Sequence, residues 1–63
     1  MASIKTIMEV YDNKKSLIIS QFSNAMAYAE TQENFNGLKA QMQKELDALN
    51  EDTIRKIREN YLI

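Results

Sequence analysis

This sequence contains no cysteine, no histidine, no proline and no tryptophan, and it has a single glycine among its 63 residues. Without cysteine no disulfide can form, and without cysteine and histidine the usual zinc and copper ligands are missing. Proline is the residue that most strongly interrupts a helix, so its absence leaves the chain free to form long helices. We therefore expect no cofactor and a fold that depends on packing alone.

The chain also lacks an excess of charge of either sign and any long hydrophobic run. Eight Lys and Arg against nine Asp and Glu give a net charge of −1, which argues against a main role in coating nucleic acid or an anionic membrane. No apolar run approaches the ~20 residues of a membrane span, and Glu9 and Asp12 lie where a signal peptide would be apolar. We expect a cytoplasmic protein, and the abundance of Ile, Asn and Lys favours a bacterial or phage source.

The spacing of apolar residues predicts a long first helix. Steps of three and four residues, the spacing of one helical face, connect a stripe that Lys15 alone interrupts. The stripe consists of Ile4, Met8, Tyr11, Lys15, Ile18, Phe22, Ala25 and Ala29. Ser3, just before it, is a residue type that favours helix N-caps. Helix 1 is therefore predicted over about residues 3–31.

A turn and two further helices are predicted after this stripe. Asn and Gly tolerate turn conformations, so Asn34, Asn36 and Gly37 place the turn at about residues 32–37. One helical face then carries Leu38, Met42, Leu46 and Leu49, which predicts helix 2 over about 38–49. The later residues Ile54, Ile57 and Tyr61 lie about 60–120° away from that face. Cap-type residues at 50–53 therefore favour a break near Asn50 and a helix 3 over about 51–61, with one continuous helix as the alternative.

These elements predict a single all-α domain, residues 1–63, built as a helical hairpin. Apolar residues cover more than half of the circumference of helix 1, whereas one neighbouring element covers an arc of only about 100°. We therefore predict a homodimer that forms a four-helix bundle. The residues expected to contact a second copy or another protein are Leu17, Ile19, Met26 and Tyr28. The alternative is a monomeric three-helix bundle in which helix 3 covers residues 17–19.

No catalytic arrangement is recognisable, so we do not expect an enzyme. The sequence favours a small protein-interaction module, a regulator, inhibitor or adaptor that binds a larger protein. Two alternatives remain open. The chain could be a nucleic-acid-binding regulator that uses its basic cluster of Arg55, Lys56 and Arg58, in which case binding would depend steeply on salt. It could also be a structural oligomerisation part, for example of a virion.

Overall fold

The structure, a computed structural model, describes residues 3–61, which form two helices and a short connection. Helix α1 spans Ile4–Ala27 and helix α2 spans Gln32–Tyr61. No strand occurs between residues 3 and 61. The four-residue connection returns α2 antiparallel to α1, and the two helices pack side by side along their length. The prediction of an all-helical hairpin is confirmed.

Helix α1 begins at the predicted N-cap. Ser3 has extended backbone angles, and its Oγ accepts a hydrogen bond from the backbone N–H of Thr6 at 3.1 Å. The hydroxyl of Thr6 lies 3.0 Å from the same oxygen. The first N–H groups of a helix have no partner within the helix, so this contact stabilises the first turn of α1.

Helix α1 ends earlier than the sequence predicted. Its last residue is Ala27. The N–H of Tyr28 donates to the carbonyl of Ala25, and the N–H of Ala29 donates to the carbonyl of Met26, both at 3.2 Å, which closes the final turn. The chain then reverses over residues 28–31. The predicted end of helix 1 at residue 31 was wrong, because the polar residues after Ala27 belong to the connection and to the start of α2.

The start of α2 explains why the predicted turn at residues 32–37 was also wrong. The Oγ1 of Thr31 accepts the N–H of Asn34 at 3.0 Å, and the carbonyl of Thr31 accepts the N–H of Phe35 at 3.0 Å. Thr31 is therefore the N-cap of α2. Gly37 lies inside the helix without a positive φ angle, and its missing Cβ would meet no atom within 4 Å. The only glycine of the chain has no role in the turn.

Helix α2 continues through Asn50, so the predicted break there and the separate helix 3 were wrong. The cap-type side chains have other partners. The Oδ1 of Asn50 accepts a hydrogen bond from the hydroxyl of Tyr11 across the hairpin at 2.8 Å, and Asp52 pairs with Arg55 and Lys56 further along its own helix. Thr53 is buried. Because these side chains have other partners, they do not terminate the helix. The described residues form no third helix, which contradicts the alternative of a three-helix bundle.

The contact between the two helices centres on Ile7 and Leu49, which are 8 % and 9 % exposed. The predicted stripe on α1 placed Ile4 and Met8 in this contact, yet both are exposed and Ile7 is buried instead. The hydrogen bond from Tyr11 to Asn50 joins the two helices near this contact, where Ile7 and Leu49 are buried together with Thr53. Further toward the turn, Ile18 and Phe22 are half-buried as the stripe predicts.

The hairpin is long and flat. Its principal extents are 48 × 16 × 9 Å and its radius of gyration is 14.7 Å, against about 11 Å for a compact domain of 63 residues. Each helix has one neighbour, and no side chain among the described residues is completely buried. Two broad faces of the hairpin are therefore open on either side of the line where the helices meet.

Candidate interaction surfaces

Large apolar side chains are exposed on both faces of the hairpin. Eight of them, within the described part of the chain, are between 38 % and 82 % exposed: Ile4, Met8, Val10, Leu17, Ile19, Tyr28, Ile54 and Tyr61. Scattered exposed apolar residues are normal on a soluble protein, whereas contiguous groups mark interaction sites. The division of these residues between the two faces therefore decides which surface can bind a partner.

One face carries a groove without carboxylates or basic side chains. Its lining residues are Met8, Tyr11, Asn50, Thr53, Ile54 and Ile57. Residues separated by whole numbers of helical turns lie on the same side of a helix. Ile4, Ile19 and Met26 therefore lie in line with Met8. Tyr61 lies in line with Ile54. We call this surface the apolar face; it comprises Ile4, Met8, Ile19, Met26, Ile54, Ile57 and Tyr61. Its residues are densest at the open end of the hairpin, opposite the connection at 28–31.

The opposite surface combines apolar and charged side chains, and we call it the mixed face. A groove there is lined by Thr6, Ile7, Val10, Lys14, Leu49, Asp52, Thr53 and Lys56. Leu17 and Tyr28 follow Val10 at whole numbers of helical turns and so lie on the same face. Tyr28, which is 82 % exposed, lines a shallow depression near the connection together with Gly37 and Gln41. Three apolar side chains on this face thus alternate with charged and amide groups.

The four residues predicted for self-association or partner binding do not lie together. Leu17 and Tyr28 belong to the mixed face, whereas Ile19 and the half-buried Met26 belong to the apolar face. Leu17 and Ile19 are separated by about 160° around the axis of α1, because two residues advance a helix by about 200°. A single flat contact cannot include both pairs.

The contribution of α2 to the apolar face was not predicted. Ile54, Ile57 and Tyr61 deviate from the contact line of α2, and in the sequence this deviation favours a helix break. In the structure the helix is continuous, so these residues form a second apolar side next to Met8. The sequence does show that these residues lie away from the contact line of α2. Whether this indicates a helix break or a second apolar side depends on whether α2 bends at Asn50.

The basic cluster of Arg55, Lys56 and Arg58 does not form one positive surface. Lys56 lines the groove of the mixed face together with Lys14, and its Nζ lies 3.1 Å from Oδ2 of Asp52. Arg55 pairs with Asp52 and, at 3.9 Å, with Glu59. Arg58 lies about 160° from Lys56 around the helix axis. Neighbouring carboxylates thus balance two of the three cations.

Asp52 is the only group among the described residues whose ionisation is clearly shifted by its surroundings. The hydrogen bond from Lys56 lowers the pKa of this carboxyl below its ordinary value, and the positive charges of Lys56 and Arg55 act in the same direction. Partial desolvation opposes the shift without cancelling it. The carboxylate remains ionised at neutral pH and holds the two cations on the surface of α2.

Lys15, the charged residue in the predicted stripe of α1, is exposed and does not enter the contact between the helices. Its Nζ lies 5.7 Å from the centroid of the Tyr11 ring, within the range of a cation–π contact. This arrangement agrees with a side chain that covers apolar surface with its stem while its charge reaches water. It also marks where the charge-free part of the apolar face ends along α1.

Comparisons with known proteins give no relative of this chain. No protein-family model matches the sequence, and no curated protein or solved structure is significantly similar to it. Within residues 3–61 neither helix is both long and apolar enough to cross a membrane. The same residues include no group of three or more carboxylates or other strong ligands placed to hold a metal ion. The two faces of the hairpin carry the exposed large apolar side chains and are its candidate functional surfaces.

Proposed function

We propose that this chain is a non-enzymatic helical interaction module that pairs with itself in a four-helix bundle and binds a larger protein as a regulator, inhibitor or adaptor. The observation that carries this proposal is the near absence of an interior. Ile7, Leu49 and Thr53 are the only described residues that are buried, although the helices carry many large apolar side chains. A fold of this kind gains most of its stability from further contacts.

The accessible surface supports self-association quantitatively. The chain exposes 5009 Å², whereas a compact monomer of its mass, 7.3 kDa, exposes about 4,200 Å². The excess of about 800 Å² equals the area that each partner contributes to a protein–protein interface of standard size. A two-fold dimer uses one patch twice, so it is the simplest assembly that removes this excess.

Binding of a second protein is supported by the apolar residues that one dimer contact cannot cover. Because the hairpin has two open faces, pairing through one of them leaves the other facing outward. Either face then offers exposed apolar anchors surrounded by polar groups, the composition of protein-binding sites. The absence of histidine and cysteine from the sequence favours such a binding role over catalysis.

A nucleic-acid-binding role has less support, because Arg55 and Lys56 share the carboxylate of Asp52 and Arg58 lies on another side of α2. Such a role needs several cations that neutralise phosphates together. A purely structural role differs from the proposed one in its assembly, which would extend beyond a dimer.

The test is sedimentation equilibrium of the purified chain from about 1 μM to about 1 mM, with and without about 0.5 M salt. We expect a monomer–dimer equilibrium that salt does not weaken, since the contact is apolar. A chain that is monomeric at every concentration contradicts the self-association, and a series of larger species favours the structural role. Retention on a phosphate-bearing polymer that is lost at high salt favours nucleic-acid binding.

A further inference from the structure

We infer that the apolar face is the surface that pairs with a second copy of this chain, and that the two hairpins lie parallel, with their open ends together. Met8 of one protomer then packs against Ile54 of its partner, and the reverse contact forms across the two-fold axis. This inference rests on the proposed self-association and adds which face is used and in which orientation.

The distribution of charge selects the apolar face over the mixed face. The groove between Met8 and Ile54 contains no carboxylate, ammonium or guanidinium group. Ile54 also lines a separate groove with Glu51, Arg55 and Arg58. The groove on the other side contains Lys14, Asp52 and Lys56, and the carboxylate of Asp52 is hydrogen-bonded to both Lys56 and Arg55. Covering charged groups removes them from water at a high cost in free energy, whereas covering Ile54 and Met8 is favourable. The mixed face therefore remains toward solvent.

The position of the apolar residues along the hairpin selects the orientation. Two hairpins that pair through the same face have two simple two-fold arrangements. If the two-fold axis is perpendicular to the helices, α2 packs on the partner's α2, which runs in the opposite direction. Ile54 then meets the polar first half of that helix, around Lys39 and Asn36. If the two-fold axis is parallel to the helices, α1 packs on the partner's α2, and the open ends of both hairpins lie at the same end of the dimer. Only this second arrangement brings Met8 to Ile54.

The parallel arrangement gathers the apolar residues of both protomers into one cluster at the open end. Each protomer contributes Ile4 and Met8 from α1 and Ile54 and Ile57 from α2, while Tyr61 extends the surface at its edge. Toward the connection, Ile19 and Met26 pack against the partner's α2, whose Lys39 can cover them with its aliphatic stem. The dimer is thus anchored at the open end and more polar at the turns.

A pair of matched substitutions tests the choice of face. Ile54→Glu places a charge in the proposed contact, and Leu17→Glu places the same charge on the mixed face, at a side chain that is even more exposed, 62 % against 49 %. Neither substitution lowers helix propensity. We expect Ile54→Glu to raise the dimer dissociation constant at least about 100-fold, since each dimer contains it twice. Leu17→Glu should change it by no more than about twofold.

Distances between spin labels test the orientation without weakening the dimer. The chain has no cysteine, so Glu30→Cys and Lys5→Cys each introduce one labelling site, at the connection and at the open end. In the parallel dimer both variants give label-to-label distances on the order of 20–30 Å, because packed helices are about 8–10 Å apart. In the opposite orientation both distances approach the 48 Å length of the hairpin.

The outcomes separate this inference from the proposed function. If the unmodified chain never dimerises, the self-association itself fails. If it dimerises but Leu17→Glu disrupts the dimer and Ile54→Glu does not, self-association stands and the assigned face is wrong. Long distances for both labels overturn the parallel orientation. If Ile54→Glu unfolds instead of remaining a helical monomer, the label distances still decide between the arrangements.

Discussion

Replacement of Gly37 by alanine tests the most consequential difference between the predicted and observed folds, the position of the turn. The sequence placed the only glycine in the turn, whereas the structure places it in the second turn of α2. Its φ angle is not positive, and a Cβ added there would meet no atom within 4 Å. Gly37→Ala therefore adds a methyl group to a helix without any clash.

The expected gain follows from helix propensity. Glycine inside a helix is less favourable than alanine by about 0.8–1.0 kcal/mol, mainly because the unfolded chain loses more conformational freedom at glycine. No packing change opposes this gain, so we expect Gly37→Ala to stabilise the protein by about 1 kcal/mol. For a domain of 60–100 residues this corresponds to a rise in Tm of about 4–8 °C.

The assay is thermal unfolding followed by far-UV circular dichroism at one fixed chain concentration, because dimerisation makes Tm depend on concentration. Ala40→Gly, one turn further along the exposed side of α2, is the matched control and should lower Tm by a similar amount. An unchanged or lower Tm for Gly37→Ala would refute the helical position of Gly37. That result would favour a turn in which residue 37 needs the conformational freedom of glycine.

Three further substitutions test single contacts by chemical or thermal unfolding. Tyr11→Phe removes the hydrogen bond to Asn50 and should cost about 0.5–1.5 kcal/mol; a double-mutant cycle with Asn50→Ala gives the coupling, and zero coupling contradicts this contact. Thr31→Ala removes the N-cap of α2 and should cost about 1 kcal/mol, whereas an unchanged stability indicates that α2 begins elsewhere. Because the folded-state pKa of Asp52 is lowered, its contribution is present above about pH 4 and is lost as pH falls through that pKa. The stability difference between the unmodified chain and Asp52→Asn should therefore shrink on acidification, and a constant difference from neutral pH to about pH 2 contradicts the ion pair with Lys56.

Local sequence signals were sufficient where one residue type acts through its immediate neighbours. Ser3 predicted the start of α1 because an N-cap needs only a side-chain oxygen and the N–H groups of the next turn. Thr31 carries the same signal, yet it lies in a polar stretch that also fits the end of a helix. The sequence is compatible with a polar stretch that ends the first helix and with Thr31 as the N-cap of the second. The turn can be assigned to residues 28–31 only once Thr31 is known to cap α2.

The candidate surface was predictable in kind but not in arrangement. An excess of apolar residues on α1 indicated an interaction surface, and Leu17, Ile19 and Tyr28 are indeed exposed. Helix geometry alone also assigns Leu17 and Ile19 to different flanks of the stripe on α1. It could not show which side of α2 accompanies each of them, because that depends on the register between the helices and on the continuity of α2.

The sequence by itself determined that this protein is helical, that its chain reverses after the first helix, and that helix 1 carries more apolar surface than one neighbouring helix can cover. Spacing and composition are sufficient for these conclusions, because helix periodicity and the absence of proline act locally. The tertiary structure decided that α2 passes through Asn50 without a break. Asn50 and Asp52 could have capped a new helix, but Tyr11 engages the first and Arg55 and Lys56 engage the second. This choice of partners places Ile54 beside Met8 and creates the apolar face.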